Sequence, residues 1–419
     1  MRRAHRLLLE RPVLIRSRQP DEYRLVARQI DTLARWHLEH TGWPVHVDER
    51  AGVIRLRRRA SLAPSGIWEP WKSDVVLSSP RDYACLVYLL WYARSPLVIG
   101  RGGLRQVLLS DLCERLAHRS ALADENAGAA HEPFDFTRRR TDYYSLRRAL
   151  KALEDLGAVI ILDETAVAGA AGERDTSEAL IEFTDVVEAL IVELNLDAVR
   201  SLRERRPDPR GLITPVLDGS ASTSLRRAWR TLLLGPLLLR RDDAAAFDVV
   251  RRDRDAIEAV ADDLFGFVLD LTPSYARFVR PSGTSFDRST QVLNHQQKGV
   301  VHAALLLCAA VRRRVADGEL ARPDRDGCLE LTRPVLTAIF RQVCVEDQRR
   351  WGSELAEAKP ELILGRVCDV LRVAGLLRGP DANGRVLLLP TAARYRVAYA
   401  SIESGSVDAT GTQSGFDSV

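Results

Sequence analysis

The chain has 419 residues, 46% of them hydrophobic, and its 61 basic against 57 acidic residues give a formal net charge of +4. That leaves room for two to four packed domains and excludes a disordered or fibrous chain. Six scattered cysteines without a CxxC pair, no run approaching 18 apolar residues and no leader-like apolar core in residues 1–15 point away from disulfide scaffolds, membranes and export, toward a reduced cytoplasmic protein.

In chain order, Arg2 to Leu9 is predicted as a short basic helix stopped ahead of Pro12, within a stretch (residues 1–19) carrying six Arg against one Glu. A second helix is predicted from Asp21 to His40, with Tyr23, Val26, Ile30, Leu33 and His37 forming one buried stripe, and Gly42 ends it. Val45 to Val47 and Val53 to Leu56 alternate around a turn and read as a hairpin. Residues 58–80, rich in Arg, Pro, Ser and Trp, form a bridge to a second group of helices.

That group has three members, Tyr83 to Tyr92, Leu104 to His118 and Tyr143 to Leu156. Strands at Ala158 to Asp163 and Leu180 to Thr184 flank an Ala/Gly/Thr-rich tip. Three helices and a hairpin are the winged-helix variant of the helix-turn-helix. Residues 173–197 are rich in acid, and the aperiodic, Pro- and Gly-containing stretch from Arg203 to Ser224 marks a boundary.

Past that boundary the chain repeats itself. Residues 226–271 align without a gap to residues 2–47, with thirteen of 46 pairs identical, among them Arg2/Arg226, Ala4/Ala228, Arg6/Arg230, Leu8/Leu232, Pro12/Pro236 and Gly42/Gly266. Helices at Val300 to Val315, Val335 to Val345 and Glu361 to Ala374 then lead to a hairpin, Leu376-Leu377 and Val386 to Leu389, around Asp381-Ala-Asn-Gly384. The fold class expected is mainly α with small β-hairpins (α+β), built as tandem winged-helix domains in a duplicated helix-hairpin plus winged-helix module. The expected division is a helical and hairpin module at 1–78, a winged helix at 79–200, a linker at 201–223, a second module at 224–296, a second winged helix at 297–400 and a disordered tail at 401–419.

No Lys follows a Gly, which removes the phosphate-binding GxxxxGK motif, and Gly100-Arg-Gly-Gly103 carries Arg105 where a dinucleotide loop needs its third Gly. Glu357-Ala-Lys359 is the one Glu-x-Lys of nuclease spacing, but it lies at a helix end instead of on a strand. His37 with His40, and His295 with His302, lack the further ligands of a tetrahedral site. The expectation is a non-enzyme with no cofactor, no metal site and no catalytic residues.

Only four of the 61 basic residues are Lys (Lys72, Lys151, Lys298 and Lys359), and Arg forms bidentate phosphate contacts wherever it clusters. Arg138, Arg139 and Arg140 precede the third helix, which adds Arg147, Arg148 and Lys151, with one acid in between. These six are the candidate DNA-binding residues, weighed against a solvated helix face or a protein interface. The matching helix of the second copy mixes Arg366 and Arg372 with Glu361 and Asp369. Contact through the first helix should be non-specific, because few Asn, Gln or Ser residues face outward to read base edges.

Several stretches together resemble the KITE-type subunit of the Wadjet bacterial defence systems, in its actinobacterial branch. The carriers are Arg2-Arg-Ala-xx-Leu-Leu-xxx-Pro12, Tyr23-Arg-Leu-Val26, His40-Thr-Gly-Trp-Pro-Val-His-Val-Asp48, Ser79-Pro-Arg-Asp-Tyr83, Cys85-Leu-Val-Tyr88, Leu146-Arg-Arg-Ala-Leu150 with Leu156-Gly157, Trp351 and Pro390-xxx-Arg-Tyr395. The resemblance implies tandem winged helices, similar to the MukE subunit of bacterial condensins, that form a homodimer and bind a kleisin subunit. Through the kleisin they would join a coiled-coil ATPase of the SMC class, which extrudes loops of double-stranded DNA. A topoisomerase-like nuclease subunit, reached indirectly, would cut plasmids. It implies no catalytic residue in this chain. The alternative is a stand-alone winged-helix transcriptional regulator or plasmid initiator.

Overall fold

A computed structural model of the chain describes residues 1–58, 77, 79–95, 105–127, 132–162, 179–190, 223–235, 237–279, 298–347, 351, 355, 357–381 and 383–394. They are mainly helical, with small antiparallel sheets of three strands, and they cluster into two compact units, Met1–Val292 and Leu293–Val419. The tip between residues 163 and 178, the linker except Thr223, Gly100 to Gly103 and the tail beyond residue 400 lie outside the described residues.

The first module runs α1 (Arg2–Glu10), β1 (Val13–Ile15), α2 (Pro20–Ala27), α3 (Ile30–His40), β2 (Val45–Asp48) and β3 (Val53–Leu56). The hairpin of β2 and β3 matches its sequence expectation, and β1 adds a third strand on the free side of β3, with Leu14 opposite Ile54. The single helix expected from Asp21 to His40 is instead two. At Gln29 the amide turns back to the Val26 carbonyl at 3.0 Å, and this short turn breaks the helical ladder between α2 and α3.

Next come α4 (Pro80–Ala93), β4 (Gln106–Leu108), α5 (Leu109–Ala127), α6 (Arg140–Asp155), β5 (Val159–Ile161), β6 (Leu180–Phe183) and the short α7 (Val186–Leu190). The helix expected from Leu104 begins only at Leu109, because Gln106 to Leu108 pair with β6, Val107 standing opposite Ile181. A run of three residues carries too little alternation to announce a strand; pairing with β6 creates it. Cys85, Leu89, Leu112, Leu146, Leu150 and Ile181 form the core here, and Val13, Ile15 and Val53 of the first module complete it. Arg55 reinforces that join by donating to the Ala189 and Leu190 carbonyls at the end of α7, at 3.0 and 2.6 Å.

The second module repeats the order with α8 (Ser224–Leu234), β7 (Leu238–Leu239), α9 (Ala244–Arg252), α10 (Arg254–Phe265), β8 (Val268–Leu271) and β9 (Tyr275–Val279). Its helix breaks at Asp253, the equivalent of Gln29, so the break belongs to the module. The two modules share one core, with Ala4, Leu8, Leu33 and Trp43 packed among Ala228, Trp229, Leu232 and Phe265. Their contacts are reciprocal: α1 packs on α10 and α8 packs on α3. Arg2 Nε donates to the Asp263 carbonyl at 2.8 Å, and Arg226 Nε donates to the Glu39 carbonyl at 3.1 Å. Both members of that exchange are repeat equivalents, so the modules are related by a local two-fold, the geometry of a self-complementary dimer closed within one chain.

In the second unit, α11 (Lys298–Ala316), β10 (Leu329–Thr332), α12 (Arg333–Asp347), α13 (Pro360–Val373), β11 (Leu377–Arg378) and β12 (Arg385–Leu388) repeat the helix, strand, helix, helix, strand, strand order of α4 to β6. The sheets match as well, β10-β12-β11 corresponding to β4-β6-β5. The hairpin falls where the Asn-Gly turn places it, and Asp381 Oδ1 accepts from the Asn383 and Arg385 amides at 2.9 and 2.8 Å. Leu307, Phe340, Val367, Leu371, Leu377 and Val386 lie in its core.

Candidate nucleic-acid interface

The position of α6 is set by its apolar face and by a crossed pair of arginine and carboxylate contacts to α4. Leu146, Ala149, Leu150 and Leu153 are buried at three- and four-residue spacing. Ser79 caps α4, accepting from the Asp82 amide, while Asp82 accepts from the Ser79 amide, a reciprocal capping box. The same Asp82, wholly buried, accepts two bonds from Arg148 of α6, at 3.0 and 2.7 Å. In the opposite sense Arg81 of α4 donates to both oxygens of Asp142 of α6, at 2.8 and 2.7 Å, and lies 4.3 Å above the Phe134 ring. Burial alone raises the Asp142 pKa, but the bonds from Arg81 and the Asp135 amide outweigh it and hold the carboxyl below its ordinary value. The carboxylates are buried while the arginines keep part of their surface in water, so removing an arginine costs about 1–3 kcal/mol, less than for a pair buried on both sides.

This brace divides the six candidate residues. Arg148 is committed to Asp82, Arg139 pairs with Glu132, and Lys151 pairs with Glu154 at 2.8 Å and with Asp155 at 3.7 Å. Arg138, Arg140 and Arg147 are exposed, and among the described residues their side chains have no hydrogen-bond or ion-pair partner. Arg138 is presented by a turn in which Asp135 Oδ1 accepts the Thr137 and Arg138 amides, at 3.2 and 2.9 Å. Arg140 and Arg147 stand at the start and middle of α6 on one line of its surface. Tyr144 lies between them on that line, 38% exposed. Charge counting passes over it; the spacing 140, 144, 147 is the signal that would have found it.

Glu357 and Lys359 precede α13, Lys359 at the N-cap position without a side-chain cap bond, and no group of three or more His, Cys, Asp or Glu suited to a metal occurs among the described residues. Burial pushes the thiols of Cys85, Cys113 and Cys308 up to about 12, away from nucleophilic use. No helix among the described residues is long and apolar enough to cross a membrane.

Residues 5–398 match the model of a family described as protein of unknown function (DUF2398). No curated protein matches the chain.

Proposed function

The chain belongs to the DUF2398 family, and we propose that it is a non-catalytic accessory subunit, of the KITE type, in a condensin-like SMC complex that defends against plasmids. In this reading α4 to β6 and α11 to β12 are tandem winged-helix domains. The observation that carries it is their shared element order and sheet order, in which the third helix is followed by a two-stranded hairpin whose second strand lies at the centre of the sheet. The subunit binds a kleisin and, through it, an SMC-like ATPase; it contacts double-stranded DNA without sequence preference, and a topoisomerase-like nuclease acts at one remove. The face by which one module would meet its duplicate is filled inside the chain, so dimerisation with a second copy uses another surface.

The test is to express the tagged full-length protein with its genomic neighbours and identify what copurifies by mass spectrometry. A kleisin-like protein and a large coiled-coil ATPase in defined ratio are the expected result. A homodimer alone, with the neighbours soluble but absent, contradicts the proposal and favours a free regulator.

A further inference from the structure

The two third helices align residue for residue by sequence and burial. Ser145, Leu146, Ala149 and Leu153 of α6 correspond, at a constant offset of 218, to Ile363, Leu364, Val367 and Leu371 of α13, all buried. Both helices end on a glycine of positive φ, Gly157 at 64° and Gly375 at 66°. The exposed ridges are therefore comparable position by position. Tyr144, Arg147 and Lys151 of α6 become Leu362, Gly365 and Asp369 in α13, and the place of Arg140 falls on Ala358, ahead of the helix. Leu362 is 67% exposed, and Asp369 pairs with Arg372 at 2.7 Å. The ridge that is basic in the first domain carries no base in the second.

We infer that contact with duplex DNA is one-sided: Arg138, Arg140 and Arg147 take phosphates, Tyr144 takes the base or sugar surface between them, and α13 takes no part. This rests on the proposed reading for its assignment of DNA as partner. Seven residues of helix separate Arg140 from Arg147 by about 10 Å. The major groove is about 12 Å wide, so two extended guanidinium groups reach the backbones on either side while the ring between them faces the groove floor. None of the three guanidinium groups is held in an ion pair among the described residues, Arg138 feeling only the nearby charge of Asp135, whereas Arg148 and Lys151 would have to break their pairs.

The experiment is fluorescence anisotropy of the full-length protein with a mixed-sequence duplex, from 50 to 200 mM salt. Three phosphate contacts, at about 0.9 in the log-log slope each, make the affinity fall roughly 40-fold over that range. Arg140→Gln and Arg147→Gln each flatten the slope by about 0.9, whereas Tyr144→Ala weakens binding at an unchanged slope and Tyr144→Phe restores it. Leu362→Ala and Asp369→Asn leave binding as it was. Thermal melts matching wild type certify each variant. Arginine variants with the wild-type slope, or α13 variants that change binding in either direction, overturn the one-sided contact while leaving DNA as a partner. Absence of binding by wild type overturns it together with the DNA part of the proposed function.

Discussion

His5 and His37 meet at the seam between the two modules, fully buried, with ring centroids 5.3 Å apart and Trp36 and Phe265 packed edge-on around His5. None of their four ring nitrogens has a hydrogen-bond partner among the described residues. Burial pushes His5 down to about 4, the amino terminus adding to the fall and Asp263 opposing it. Burial takes His37 to about 3, with His5, Arg58 and His40 acting the same way. Both are therefore neutral in the fold, and the unfolded chain, titrating near 6.5, binds protons first as the pH drops. Stability is fully present above pH 6.5 and declines as the pH falls toward 4, by on the order of 1–2 kcal/mol per histidine at pH 5. Urea midpoints of wild type should drop between pH 7 and pH 5, and those of His37→Phe should drop less. Equal drops would show that His37 is not held neutral.

At the scale of the element, nine of the thirteen repeat identities fall in residues 2–16, six of them in α1, which packs both on its own module and on α10 of the other. A substitution there disturbs two surfaces, and the exchange of Arg2 and Arg226 across the local two-fold requires the same residue twice. The duplication is legible in the sequence for this reason. The break between α2 and α3 is not, since Arg28-Gln29 contains neither Pro nor Gly; β4 and β10 escape detection because such short strands take their stability from pairing. The modules also differ in a measurable way. Gly42 and Gly266 are equivalent, with φ of 66° and 67°, but a Cβ on Gly42 would come within 2.8 Å of Arg230 Nη2, whereas one on Gly266 meets open space. Gly266→Ala should cost about 1 kcal/mol, the strain of a left-handed residue. Gly42→Ala should cost about twice that, because Arg230, which donates to the Thr41 carbonyl, must also move. Chemical denaturation of the two variants checks the order, and equal losses would show that Arg230 gives way freely.

Across the whole molecule, one plan is used twice in two ways: the helix-hairpin modules close on each other, while α6 and α13 occupy equivalent places in their element orders, the first with a basic ridge and the second with mixed charge. The charges near α6 can be counted in the sequence, but which of them are spoken for cannot. Arg148 and Asp82 are 66 positions apart, and their pairing exists only once α4 and α6 have packed. Three of the six candidate residues are accordingly bound to carboxylates and three are available. Service in a plasmid-defence complex, without catalysis of any step by this chain, is tested most directly in cells, by plasmid transformation of a strain carrying the neighbouring genes with and without this one. Plasmid uptake should rise when this chain is omitted, with the neighbours' levels unchanged, and fall again when it is resupplied. Uptake that is the same with and without the chain, or altered only through the neighbours' transcription, would contradict that role.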